Sequence, residues 1–274
     1  MNSPMYRLLQ NEGHLFQGCF KSSIVALRRG QSADRGRYYA ASFNFAIGLE
    51  RLLKVLLILD NWRRERCLPN SQEIRRHGGK SGHDIERLYA AVKELFAVYR
   101  VSCPAGFEPD DLDLDLLSYF SDFAKMSRYF NLDMLFEEFK GEDPLARWNK
   151  LILDVYLRDL PRLQRIHDED ELDAMAERIE GNVYHMPNKG MTGESLSFRE
   201  MVQDNSRVAR ALSPMCLRFL KLLIPLKELL IRVRERIHED DDHTQSATVP
   251  YMEEFLDFVC TDRTIVDEAP DDWP

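Results

Sequence analysis

The turn Gly78-Gly79-Lys80-Ser81-Gly82 is the first stretch whose residue types suggest chemistry. Glycine-rich turns that carry a lysine can cradle phosphate with backbone N–H groups. The template does not fit here, because a phosphate loop needs GxxxxGK[ST] after a strand. The earlier glycine spacing is missing and the flanks have helical periodicity. What remains is a cationic edge, with Arg63, Arg64, Arg66, Arg75, Arg76 and Lys80 all within residues 63–80. Exposed Arg and Lys are the usual source of sequence-independent affinity for nucleic acid. A second cluster, Arg28, Arg29, Arg35 and Arg37, sits on a polar loop and reads either as solvated or as phosphate-contacting. The acidic run Asp110, Asp111, Asp113 and Asp115 offers oxygen ligands, but its alternation into a helix start fits favourable charge at a helix N-terminus better. HExxH, a nucleophile elbow and an EF-hand loop are absent from the sequence. Neither a metal nor a cofactor is expected.

Helices must position these groups. From Tyr38 onward, Phe45, Leu49, Leu52, Leu56 and Leu59 recur at spacings of three and four, the amphipathic signature of a helix. A second stripe, Phe43, Ile47, Glu50, Lys54 and Leu57, carries two ionisable residues one turn apart, in the Glu-before-Lys order that pairs well. Glu50 and Lys54 therefore form an ion pair that fixes helix register or line a polar pocket between helices. Gly48 costs helix stability relative to Ala and marks a close helix contact. After a Gly-rich loop, Ser81 or Asp84 caps a second helix that is expected to return beside the first.

Further helices are expected at His14–Arg29, Leu112–Phe139, 144–160, Glu171–Tyr184, Phe198–His238 and 249–259. Pro214 and Pro225 predict breaks or kinks. The aromatic run Tyr119, Phe120, Phe123, Tyr129, Phe130, Phe136 and Phe139 is expected to be core. HMPNKGMTGES reads as a mobile loop, and no strand alternation or internal repeat stands out.

The GLERLLK segment of the long helix, the Pro-containing loop and GHDIERL at the next helix together resemble the helical HEPN superfamily. The likeness extends to DFAKMSRYFNLD at 122–133 and VPYMEEFLDFV near the C-terminus, about two thirds of the chain in all. It implies a helical bundle that commonly dimerises around a polar groove. His83 would hydrogen-bond across to the first helix near Glu50, and Arg128 would face the groove. Catalytic members are metal-independent ribonucleases with an Arg followed by His after four to six residues. Arg stabilises phosphoryl charge and His moves the proton. Such pairs include Arg76/His83, Arg162/His167, Arg178/His185, Arg232/His238 and Arg236/His243, where about two would arise by chance. Arg178/His185, with Asn182 between them, matches the ribonuclease motif best, although Gly181 and Pro187 interrupt the helix.

Charge and cysteines bound the remainder. Residues 1–100 carry 17 Lys+Arg against 9 Asp+Glu, a net of +8, whereas the rest of the chain carries a net of −17. That asymmetry implies a nucleic-acid face, or two parts of the molecule attracting each other. Five scattered cysteines with no CxxC pair argue against a disulfide framework or zinc site and for a reducing cytoplasm. No signal segment or membrane span is expected.

The expectation is an all-α, HEPN-like bundle with a C-terminal helical elaboration. Its parts are an N-terminal helix and basic loop (1–37), the bundle core (38–186), a long kinked helix and C-terminal helix packed on it (187–260), and an acidic tail (261–274). In function it reads as a module that binds RNA, a nucleotide or a partner protein from the same operon, in bacterial stress response or phage defence. The resemblance adds a homodimer. A toxin-like, metal-independent endoribonuclease using Arg178 and His185 is the alternative.

Overall fold

The computed structural model describes residues 4–126, 129–136, 141–180, 188–241, 249–268 and 273–274, which form an all-α fold with one minimal hairpin. The helices are α1 (Pro4–Arg28), α2 (Arg35–Glu65), α3 (Ser71–His77), α4 (Ile85–Tyr99) and α5 (Asp111–Lys125). They continue with α6 (Phe130–Leu135), α7 (Pro144–Asp159), α8 (Arg162–Glu180), α9 (Phe198–Asp240) and α10 (Arg263–Glu268). Within the segment expected to be a loop, β1 (Asn188–Lys189) and β2 (Ser195–Leu196) pair antiparallel. A 3-10 turn spans Met252–Leu256.

α2 touches α1, α3, α4, α5, α7 and α9. Its stripe Phe45, Leu49, Leu52, Leu56 and Leu59 is wholly buried. Ala41, Ala46, Leu53 and Val55 are buried too, as a helix apolar on several sides requires. Near its middle the Phe45 ring lies 5.3 Å from Phe20 of α1, 4.6 Å from Phe120 of α5 and 4.3 Å from Phe219 of α9, centroid to centroid. Trp148 of α7 joins through Tyr119 at 5.4 Å. Such ring pairs add to the stabilisation from burial alone. One connected apolar cluster runs from Leu9 to Val266, so the segments divided at residues 37, 186 and 260 share a core. α9 supplies its centre through Phe219.

Gly48 lets α1 approach α2. A Cβ there would stand 2.9 Å from Phe20 Cε1 and 3.2 Å from Cys19 Cβ. Close packing thus offsets the roughly 1 kcal/mol that glycine costs inside a helix.

Several expectations need correction. α4 does not return antiparallel to α2. Glu50 faces His83 just before the start of α4, and Asp60 faces Tyr99 at its end, so the two helices run in the same direction. The chain is carried back by α3, which the sequence pattern left as loop. α3 starts in a capping box, with the Asn70 side chain accepting from the Gln72 and Glu73 N–H groups at 3.0 Å and Glu73 accepting from the Asn70 N–H at 2.9 Å. The expected helix over 112–139 is divided. α5 ends at Met126, whose backbone leaves the helical region (φ −141°, ψ −45°). Tyr119, Phe120 and Phe123 are core, whereas Tyr129 and Phe136 on either side of α6 are 54% and 69% exposed. Phe139 lies outside the described residues. α8 starts at Arg162, nine residues before the expected position. α9 runs unbroken through Pro214 and Pro225; contacts with α1, α2, α4, α5, α7 and α8 outweigh the two lost backbone bonds.

If the aromatic cluster is the keystone, Phe219→Ala lowers unfolding free energy by about 3–5 kcal/mol, and Gly48→Val by about 1–3 kcal/mol through overpacking. Urea denaturation measures both. Losses below about 0.5 kcal/mol, the range of ordinary surface substitutions, would contradict this assignment.

Candidate functional site

Two carboxylates of α2 pin α4 in place. Lys54 Nζ donates to Glu50 Oε1 at 2.6 Å, and His83 Nδ1 lies 2.9 Å and 3.1 Å from the two Glu50 oxygens. An ionised carboxylate only accepts, so Nδ1 carries the hydrogen. Nε2 then has no partner among the described residues, and the imidazole is 44% exposed while the Glu50 side chain is 17% exposed. About 15 Å along α2 the arrangement repeats. Arg64 Nε donates to Asp60 Oδ2 at 2.9 Å, and the Tyr99 hydroxyl donates to Oδ1 at 2.8 Å. Burial, with the Asp60 charge and hydrogen bond, pushes the Tyr99 hydroxyl up to about 12.

The start of α4 is also tied to α5. Asp84 caps α4 through the Arg87 N–H at 3.1 Å and accepts from Ser121 Oγ at 3.1 Å and Lys125 Nζ at 3.5 Å. Burial alone would raise the Asp84 carboxyl, but these bonds and the Lys125 charge hold it below its ordinary value. Lys125 continues to Asp122 at 3.3 Å, and Asp122 to Arg147 of α7 at 2.6 Å. A polar seam therefore crosses α2, α4, α5 and α7, with His83 at its open end.

The Gly78–Gly82 turn lies beside this seam. Gly79 and Gly82 have φ of +71° and +78°, and a Cβ at Gly78 would stand 2.5 Å from the Gly82 carbonyl. These glycines serve the turn itself. A Cβ at Gly82 would lie 3.2 Å from Arg75 Cγ, so Arg75 runs along the residue preceding His83. The six cationic residues expected to share a face divide into two groups. Arg63 pairs with Asp240 at 3.3 Å, Arg64 with Asp60 at 2.9 Å and Arg66 with Asp241 at 2.6 Å. Arg75, Arg76 and Lys80 are exposed and have no acidic partner among the described residues. Between α2, α3 and α4 opens a cleft of about 820 Å³, with Leu57, Ile74 and Leu95 on its walls and Arg64, His77 and Arg87 at polar positions.

Of the expected catalytic pair, only Arg178 lies among the described residues. Arg178 is an exposed residue near the end of α8, while Asn182 and His185 lie outside the described residues, as does Arg128. Arg76/His83, the pair split by the turn, contains the histidine whose ring is oriented by a carboxylate. Among the other pairs, His167 stands 3.7 Å from Glu171, and His238 Nε2 stands 3.3 Å from the Val249 carbonyl.

Sequence reasoning missed a buried ionic knot around Arg218 of α9. Arg218 donates to Asp159 through Nε (2.6 Å) and Nη2 (2.7 Å), and through Nη1 to Asp110 (3.0 Å) and Asp113 (2.8 Å). Lys221 Nζ adds a contact to Asp113 at 3.1 Å. Asp110 also caps α5 in a capping box with Asp113. Burial would raise the Asp110 carboxyl, but the Asp113 N–H and Arg218 hold it down at about 2. The signal was present as an arginine inside the apolar run MCLRFLKLLIPLKELLI. Asp110, Asp111 and Asp113 of the acidic run therefore meet cations of the protein, and among the described residues no group of side chains is arranged to hold a metal. Among those residues, too, no helix is long and apolar enough to cross a membrane.

Comparison with protein-family models, curated proteins and solved structures finds no match to this chain.

Two predictions arise from the site. With Nδ1 held by Glu50, nitrogen NMR of neutral His83 reports the Nδ1–H tautomer, and Glu50→Ala shifts it toward Nε2–H; an unchanged tautomer would show that the carboxylate does not orient the ring. Arg218→Met costs about 3 kcal/mol, the lower end for a broken buried pair because Lys221 remains beside Asp113. The folded value of Asp110 lies below the unfolded one, so its contribution is full above about pH 4 and is lost as pH falls through about 2. Acid unfolding curves should show a shallower dependence in Arg218→Met, and identical curves would exclude the linkage.

Proposed function

We propose that this chain is a helical RNA-binding module whose contact surface is the end of α3 and the following turn. The observation that carries this reading is the group Arg75, Arg76 and Lys80, exposed and without acidic partners among the described residues, beside the half-exposed His83. The cations farther along α2, Arg63, Arg64 and Arg66, are spoken for by Asp240, Asp60 and Asp241. An uncompensated cationic cluster attracts a polyanion and releases its counterions, without needing base-specific contacts.

A second reading is favoured by the Glu50–His83 contact. A histidine with Nδ1 held by a carboxylate and Nε2 outward can accept or deliver a proton, and a neighbouring arginine can stabilise phosphoryl charge. That is the equipment of a metal-independent endoribonuclease, with His83 in the role that the sequence pattern assigned to His185.

Fluorescence anisotropy with a labelled single-stranded RNA separates these readings. Binding should weaken steeply with salt. Arg75→Gln/Arg76→Gln/Lys80→Gln should make the log–log salt slope shallower by about 2, since single strands contribute about 0.7 per phosphate contact. Binding insensitive to salt and to the triple substitution would reject the RNA reading. Cleavage of the same RNA in chelator, lost in His83→Ala and retained in His185→Ala, would establish the ribonuclease.

A further inference from the structure

We infer that the C-terminal end of α9 is a built-in electrostatic cover, competing with RNA for Arg63 and Arg66 at the end of α2. This inference rests on the RNA-binding reading above and adds its regulation. Asp240 reaches Arg63 at 3.3 Å and Asp241 reaches Arg66 at 2.6 Å, although the paired residues are about 175 positions apart in sequence. Arg63 packs over Tyr99 at the end of α4, whereas Arg75 lies beside Gly82 before its start, so the two cationic groups stand about one helix length apart, a span that several nucleotides of a single strand can cover.

The acids sit where a helix does not want them. Carboxylates are unfavourable at a helix C-terminus, where the dipole is negative. α9 nevertheless ends in Glu239 and Asp240, with Asp241 as its cap residue. α9 is anchored just before them by the fully buried Ile237 and by His238, whose ring packs edge-on to Tyr251. The acidic end is thus held over α2 by contacts that do not involve its own charges. A local preference broken in this way is compensated by the two arginines. Arg63 also lies over the Tyr99 ring at 5.6 Å, which keeps it in place whether or not Asp240 is engaged.

The pairs are also of the right strength to yield. Side-chain exposures are 28% and 42% for Arg63 and Asp240, and 41% and 24% for Arg66 and Asp241. Ion pairs this open to solvent are weak and screened by salt. A phosphate backbone, which brings several charges at once, can displace them. Arg64 differs, because its partner Asp60 is buried on α2 itself and is shared with Tyr99.

The test is a cycle of full-length variants titrated with labelled single-stranded RNA at low salt. Asp240→Asn/Asp241→Asn should tighten binding severalfold and steepen the log–log salt slope by about 1.4, two contacts at about 0.7 each. Arg63→Gln/Arg66→Gln should change binding little in the wild-type background and abolish that gain in the Asn background. Asp115→Asn/Asp154→Asn, on α5 and α7, makes the same change in net charge and should give much less. Equal gains from both Asn pairs, no gain from either, or a full loss from Arg63→Gln/Arg66→Gln in the wild-type background would each overturn the cover. In those cases the Arg75, Arg76 and Lys80 substitutions still decide the RNA reading by themselves. If no form binds RNA, both readings fall together.

Discussion

The parallel course of α4 along α2 depends on two carboxylates facing off a helix that is otherwise surrounded by apolar neighbours. Glu50 and Asp60 each take a base one turn along α2, Lys54 or Arg64, and a neutral or titratable donor at one end of α4, His83 or Tyr99. A carboxylate so far removed from water needs its lone pairs filled, and one lysine or arginine leaves oxygen capacity over. The side chains bounding α4 fill it. These contacts hold α4 at two levels of α2, whereas its buried Ile85, Leu88, Tyr89 and Val92 supply most of the adhesion.

Much of this was legible in the sequence, and the boundary of legibility is physical. The α2 stripe from Phe45 to Leu59 repeats at the helical period and is wholly buried. Gly48 broke helix propensity and turned out to face Phe20. Glu50 and Lys54 interrupted an apolar row and are paired. α3 was invisible because none of its seven residues is buried, so no periodic stripe announces it. Without α3 the direction of α4 could not be read. The aromatic run over 119–136 misled because composition continues past Met126 while the helix does not. Arg218 escaped notice for the opposite reason. Its partners Asp110, Asp113 and Asp159 are spread over two other helices and the residue capping one of them, and only the fold assembles them.

The Arg218 knot and the Glu50 clamp also differ in what they leave available. Arg218 spends four hydrogen bonds on three carboxylates and is 4% exposed, so its charge is consumed within the core. Breaking such a group exposes a buried charge, whereas an apolar replacement of the whole group would be tolerated. Glu50 instead holds a histidine by one nitrogen and leaves the other outward. A buried acceptor that orients a half-exposed ring is a positioning device as much as a structural one.

The opposite charges of the two parts of the chain are resolved in the same terms. Several links run from the basic first hundred residues to the acidic remainder, among them Lys21 to Asp257, Arg63 to Asp240 and Arg66 to Asp241. Others, such as Arg51 to Glu12 and Arg64 to Asp60, stay inside the basic part. Internal attraction therefore accounts for some of the asymmetry, but it stops at the end of α3. Arg75 and Arg76 follow a capping box whose single acid, Glu73, is already committed to the Asn70 N–H. Lys80 sits in a turn so tight that Gly78 and Gly82 leave no room for a side chain between them. Part of the positive surface beside His83 is thus a consequence of backbone construction: capping consumes the carboxylate of Glu73, and the close approach of Gly78 and Gly82 leaves those positions without side chains.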